Sequence, residues 1–241
     1  MILHEIVTRP QPSATQEPGG ISGRGSHRLA TFAKCPRAWF LNYGLRLKST
    51  VERRYFTEGS TLHMMLAYHY GAILQGEGAS VPWLTVLLAE RLAKITTDRA
   101  ILHLAATAMD AYARWSAQES WRPVAVETEL WAPIGAIRNL LRMTPAGPHP
   151  GDSEQVSSRI DLIVRDCGKV WFVDHKFLVF KNPGGFKPLD LRFDDYVRSW
   201  QFYLHALIGL HIYKEEFGGV IVQRIGKGTT TPINRDSIPI S

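Results

Sequence analysis

Asp161, Asp174 and Lys176 are the residues of this sequence whose types and spacing best suit chemistry. They fall in two short runs, Arg159-Ile160-Asp161-Leu162-Ile163-Val164 and Val170-Trp171-Phe172-Val173-Asp174-His175-Lys176-Phe177. Both are rich in β-branched and aromatic residues and read as strands, with Asp166-Cys167-Gly168-Lys169 as the turn between them. Pairing of Arg165 with Val170 sets Asp161 directly opposite Asp174 in an antiparallel register. Directly opposed Cβ atoms lie about 4.5–5.5 Å apart, and like charges there are destabilising. Period 2 puts Lys176 on the same face as Asp174. Two facing carboxylates in otherwise apolar strands call for a cation, and hard oxygen ligands suit Mg2+ or Mn2+. Such an ion acidifies a bound water and polarises a phosphoryl oxygen. Lys176 is placed to orient or deprotonate that water, or to stabilise charge on the phosphorane. These parts describe phosphodiester hydrolysis. The competing interpretation is a buried ion-pair network with Arg159 as a fourth member, which serves stability alone.

The surrounding chain must position these groups. Residues 1–25, rich in Pro, Gly, Ser, Thr and Gln, read as a flexible arm, and 26–241 as a single domain. Its first part, 26–122, is mainly helical. Ser26–Leu47 carries Leu29, Phe32, Trp39 and Phe40 on an apolar side, with a second helical segment opening at Pro36. Helices are expected over Glu58–Leu74, Trp83–Ile95 and Asp98–Gln118 from their apolar stripes. From 123 to 241 strands dominate. Val124–Trp131 alternates, with Val124, Val126, Thr128 and Leu130 on one side and Glu127 and Glu129 on the other. Residues 135–158, with Gly147, Pro148, Pro150 and Gly151, read as a long surface loop. After the hairpin, a linker leads to a helix capped by Asp194 or Asp195 and ended by Gly218, and then to a strand over Val220–Ile225. In the hairpin, Ile160, Leu162, Val164, Trp171 and Val173 are expected to oppose a face holding Ile163, Val170 and Phe172. The order suits a mixed α/β (α+β) domain with a central sheet covered by helices.

Composition bounds the rest. A formal charge of +6 leans towards a polyanionic partner. The two cysteines, Cys35 and Cys167, cannot build a disulfide framework or a four-cysteine metal site. No apolar run approaches the roughly 18 residues that cross a bilayer, and prolines and glycines interrupt the N-terminus where a signal peptide would be apolar. A cytoplasmic protein without a membrane partner is expected.

Glu127 shares a strand face with Glu129, and offers a further metal contact or belongs to a solvated edge. Gln201 and His205 lie one helical turn apart and can reach a phosphate or hold Lys176. His69, on an apolar stripe, reads as a core histidine. Arg37 either contacts DNA or lies along its own helix. Lys181, Lys187, Arg192 and Arg198 either track a nucleic-acid backbone or form a solvated basic loop.

The arrangement resembles the PD-(D/E)XK nuclease superfamily, and within it the RecB-like branch. Asp161 on one strand and Asp174-His175-Lys176 on the next match its D…(D/E)xK pattern. Gly59-Ser60-Thr61-Leu62-His63 resembles the branch's G-x-x-x-H segment, and Cys35-Pro36-Arg37 with Trp39-Phe40 resembles the opening helix of many relatives. Gln201 matches the glutamine of a Q-x-x-x-Y helix, although the fourth residue on is His205. The resemblance implies a restriction-endonuclease-like mixed sheet flanked by helices. It implies His63 as a further metal ligand with Asp161, Asp174 and the His175 carbonyl, and Lys176 assisting the water. It further implies a Mg2+- or Mn2+-dependent deoxyribonuclease, an exonuclease of recombination, repair or phage DNA metabolism, working with DNA and with a helicase or annealing protein. Some relatives hold an iron–sulfur cluster, but Cys35 has no C-terminal trio to join, so no cluster is expected. The alternative is a DNA-binding or assembly module with negligible turnover on the same fold.

Overall fold

A computed structural model describes residues 26–47, 54–76, 98–142, 151–179, 199–227 and 233–239. The expected arm (1–25), the expected helix over 83–95, Asp194 and Asp195 lie outside these residues.

Helix α1 (Ser26–Lys34) gives way at Cys35, which is extended and accepts the Ala38 N–H on Sγ at 3.4 Å. Pro36 then opens α2 (Pro36–Trp39), where its missing N–H is harmless. Helix α3 (Arg54–Leu74) and α4 (Arg99–Ser116) follow, α4 being capped by Asp98, whose Oδ1 accepts the Ala100 N–H at 2.9 Å. The sheet begins with β1 (Arg122–Pro133), and α5 (Ile134–Leu140) intervenes before β2 (Gln155–Asp166). β3 (Lys169–Val179), α6 (Trp200–Tyr213), β4 (Phe217–Lys227) and β5 (Ile233–Pro239) follow, with short helical turns at Phe40–Gly44 and Lys214–Glu216.

The five strands are ordered β1-β2-β3-β4-β5. All neighbours are antiparallel except β3 and β4, which run parallel and are joined through α6. Helices α3 and α4 pack on one face through Leu62, Met65, Ala105 and Met109 against Leu162, Val164, Val173 and Ile221. Helix α6 packs on the other through Phe202, Leu204 and Ile208 against Ile163, Phe172, Val220 and Val222. This α+β arrangement, a mixed sheet between helical layers, is the restriction-endonuclease-like fold.

The β2–β3 register is Arg165↔Val170, and the turn residues Cys167 and Gly168 have φ of 48° and 78°. That conformation at both central residues makes a two-residue turn whose twist matches its strands.

Four expectations need correction. The stretch 135–158 is no continuous loop: it contains most of α5 and the start of β2. The N–H groups at the start of α5 find acceptors in Glu154 and Asp152, at 2.8 and 3.1 Å, and Arg138 pairs with Asp152 at 2.6 Å. The helix after the hairpin is capped by Ser199, whose Oγ accepts the Phe202 N–H at 3.4 Å, and it ends at Tyr213. Lys214, at φ 50°, turns the chain out of the helix before Gly218 is reached. Strand β5 was not anticipated, because Ile-Asn-Arg-Asp-Ser-Ile-Pro has too few apolar residues to show a period.

The fourth correction bears on the site. Val126 packs on the α3–α4 side, whereas Leu130 and Ala132 pack on the α6 side. Ile160, expected on the face of Leu162, instead joins Ile163 on the α6 side. Pairing remains in register through Val126↔Leu162 and Thr128↔Ile160. The alternation therefore resets in both strands at the facing positions Glu127 and Asp161. Glu127 carries the backbone signature of that reset, a φ of 47°.

Candidate active site

The reset falls where β2 and β3 part. Their pairing runs from Asp166↔Lys169 to Leu162↔Val173, and Asp161 and Asp174 are the next positions in that register. Past this point the Asp161 side chain takes over a main-chain partner: its Oδ2 accepts the His175 N–H at 2.8 Å. The same oxygen lies 3.4 Å from His63 Nδ1, brought in by α3. One ligand atom from each of His63, Glu127 and Asp161 falls within 4.8 Å of the other two. Glu127 is also held by Arg159, whose Nε donates to Oε2 at 2.8 Å.

Asp174 is outside that group and has its own surroundings on the α6 face. Its Oδ2 is 2.7 Å from Lys176 Nζ, and its Oδ1 accepts from Gln201 Nε2 at 2.5 Å. Lys176 in turn donates to Gln201 Oε1 at 3.3 Å. Gln201 thus bridges the carboxylate and the amine from the first turn of α6. His205, a turn later, pairs through Nδ1 with Ser158 Oγ at 2.6 Å and places Nε2 3.8 Å from Asp174 Oδ1. Lys176 Nζ stands 5.8 Å from the Phe202 ring centre, so an aromatic wall backs the amine.

Burial pushes both carboxyls up, yet their neighbours prevail. His63, the His175 ring and Lys176 hold Asp161 well below the usual carboxylate range, and Lys176 and His205 hold Asp174 below it. Burial lowers His63, against the pull of Asp161. The site therefore keeps two anionic carboxylates and favours a neutral imidazole, the protonation states a divalent cation needs.

The donor set fits such a cation. Ligand atoms of His63, Glu127 and Asp161 converge there, and Asp174 Oδ2, buried on the adjoining strand, is ion-paired with Lys176. Carboxylate oxygens with imidazole nitrogen suit Mn2+ and related ions, and carboxylates with water suit Mg2+.

Behind the site is a buried network that sequence reasoning missed. His175 Nε2 lies 3.3 Å from the Tyr112 hydroxyl, which donates to Gln223 Oε1 at 2.7 Å and lies 2.6 Å from the Tyr70 hydroxyl. These four residues come from β3, α4, β4 and α3, so only the tertiary fold assembles them. The sole sequence signal was polar residues at core positions: Tyr112 lies on α4's apolar stripe, and Gln223 falls within an apolar strand. His69 is a core histidine, 1% exposed, and pairs with Ser116 Oγ at 3.1 Å.

Of the proposed nucleic-acid contacts, Arg37 is exposed on α2, while Lys181, Lys187 and Arg198 lie outside the described residues. Among the described residues no helix is long and apolar enough to cross a membrane.

Comparison with known proteins places these features in context. A "Putative exonuclease" from Eubacterium rectale is structurally similar, with a TM-score of 0.53 at 14% identity, over 89% of this chain and 72% of that one. At that identity the likeness concerns the fold. A protein named SSO0001 aligns over 78% of each chain, at 12% identity and a TM-score of 0.30, too low to support an argument. No protein of curated function matches. The model of the PD-(D/E)XK nuclease superfamily matches residues 26–211, a span that holds His63, Asp161, Asp174, Lys176 and Gln201. This chain belongs to the PD-(D/E)XK nuclease superfamily.

Proposed function

We propose that the chain is a divalent-metal-dependent DNA nuclease of the RecB-like branch, an exonuclease acting in recombination, repair or phage DNA metabolism. One observation carries this: ligand atoms of His63, Glu127 and Asp161 gather within 4.8 Å, beside an Asp174–Lys176 pair on the adjoining strand, in a chain of a nuclease family. His63 and Asp161 hold Mg2+ or Mn2+, with Asp174, the His175 carbonyl and Glu127 as further ligands. When bound, the ion acidifies a water and polarises the phosphoryl oxygen. Lys176, held between Asp174 and Gln201, keeps its amine directed at the site, where it orients or deprotonates the attacking water. Gln201 fixes both groups, and His205 with Ser158 backs Asp174. Arg37, Lys181, Lys187 and Arg198 neutralise backbone phosphates, and such contacts make binding fall steeply with salt. A helicase or annealing protein is the partner expected to supply the DNA ends.

Digestion of end-labelled linear and circular DNA, single- and double-stranded, with and without Mn2+, tests this reading. Linear DNA should be degraded from an end only with metal present, and Asp174→Ala and Lys176→Ala should abolish this while remaining folded. Full activity in either variant would overturn the assignment. Carboxylate-dependent Mn2+ binding without any cleavage would favour the assembly-module alternative.

A further inference from the structure

We propose that residues 26–47 and the first turn of α6 form a platform for single-stranded DNA, where unpaired bases stack on exposed rings and phosphates meet the flanking cations. This inference rests on the reading of the chain as a DNA nuclease and concerns which strand form it takes. The segment from Ser26 to Leu47 holds four cations, Arg28, Lys34, Arg37 and Arg46, and no acid. Its apolar side, which periodicity alone would bury, is open: Phe32 and Phe40 are each 52% exposed. Cations interleaved with rings are what a single strand needs, a positive track for its backbone and aromatic faces for its bases.

The rings are held in place. Arg28 lies over Trp39 and Tyr43, 4.9 and 5.6 Å from their ring centres, and Phe32 meets Trp39 edge to face at 5.6 Å. Phe40 lies against Gly44, where a Cβ would come within 2.8 Å of its ring. That contact sits in a wide turn in which the Leu45 N–H reaches the Phe40 carbonyl, five residues back, at 2.8 Å. Such turns are frequent at functional sites. Rings fixed in advance lose little freedom when a base stacks on them.

Helix α1 packs against α6, whose first turn continues the pattern beside the site. Trp200 and Tyr203, 56% and 52% exposed, lie one turn apart on its outer side. Between them in sequence, Gln201 bonds Asp174 and Lys176, and Phe202 turns into the core. A strand seated at the Lys176 amine therefore has an open indole one residue from the group that holds that amine. Only unpaired bases can use these rings, because a duplex keeps its base faces stacked on one another and presents its phosphates. A second copy is a poor occupant, since a two-fold contact would set this basic, acid-free segment against itself.

The test uses the full chain without divalent metal, so that no strand is cut, and reads the anisotropy of labelled oligo(dT) and of a duplex of equal length. Oligo(dT) should bind at least about tenfold tighter than the duplex and should quench tryptophan fluorescence. Trp200→Ala, Tyr203→Ala and Phe40→Ala should each weaken oligo(dT) binding roughly 5- to 150-fold, with duplex binding changed less than about twofold. Trp200→Phe, which keeps a ring, should restore most of the loss. Arg37→Ala should instead weaken both strand forms and flatten their salt dependence. These side chains are exposed, so the variants should fold, which thermal unfolding checks. Equal affinity for the two strand forms, or ring variants that bind oligo(dT) like wild type, overturns the inference. A dimer that Phe40→Ala dissociates also overturns it, because the rings then cover a second copy. Either failure with Mn2+-dependent cleavage intact leaves the nuclease reading standing. Tight oligo(dT) binding with no DNA cleaved in Mn2+ overturns that reading and upholds the platform.

Discussion

Replacing Gln201 by alanine removes a side chain that hydrogen-bonds both Asp174 and Lys176. Its amide donates to the Asp174 carboxylate at 2.5 Å and accepts from the Lys176 ammonium at 3.3 Å. A hydrogen bond to a charged group contributes about 1.5–3 kcal/mol. If that interaction keeps the amine positioned during cleavage, its loss should lower kcat/KM roughly 10- to 150-fold. Folding should suffer less, because Lys176 still neutralises Asp174 and alanine is the best helix former. Single-turnover digestion of a labelled duplex measures the rate, and thermal unfolding measures the fold. Because Gln201 acts through Lys176, adding Gln201→Ala to a slowed Lys176→Arg variant should cause little further loss. Activity within twofold of wild type, or equal proportional losses in both backgrounds, would refute the positioning argument.

Chelation should abolish cleavage, and added Mn2+ should raise Tm by mass action, about 2.7 kcal/mol of stabilisation at a hundred times Kd; Asp161→Asn should remove that rise. At Gly209 a Cβ would overlap the ring of buried Phe217, so Gly209→Ala should destabilise by about 1–3 kcal/mol, read by denaturant titration. Burial, aided by His175, depresses the His69 pKa to about 4 from an ordinary 6.5. The unfolded chain therefore takes up a proton in a range where the folded one refuses it. Stability from this group is present above pH 6.5 and is lost as pH falls towards 4, by about 3 kcal/mol. Denaturant midpoints across that range should decline less steeply in His69→Phe than in wild type, and parallel profiles would sink the attribution.

The β2–β3 hairpin was legible because its information is local: two β-branched runs and a turn containing glycine fix which residues face each other. The same logic put Lys176 on the face of Asp174, and the two are ion-paired. It failed one step further on. Strict period 2 cannot represent the reset at Glu127 and Asp161, since nothing in Val-Glu-Thr announces a glutamate at positive φ. Helix α5 was hidden because the acceptors that satisfy its first turn lie across a connection, at Asp152 and Glu154. The Tyr70–Tyr112–His175–Gln223 network was invisible for a related reason: its members are far apart in the chain, and each looks ordinary beside its neighbours.

The parallel union of β3 with β4 gives the site an order of assembly. Asp161, Asp174 and Lys176 share a tight hairpin, whose contacts close over a short loop and form early. Gln201 and His205 arrive on α6, within the long crossover that must be laid down before β4 can dock. A nascent chain emerging from the ribosome thus displays its acids, with Lys176, before Gln201 and His205 have been made. A chain halted before α6 lacks the amide that ties the Asp174 carboxylate to the Lys176 amine.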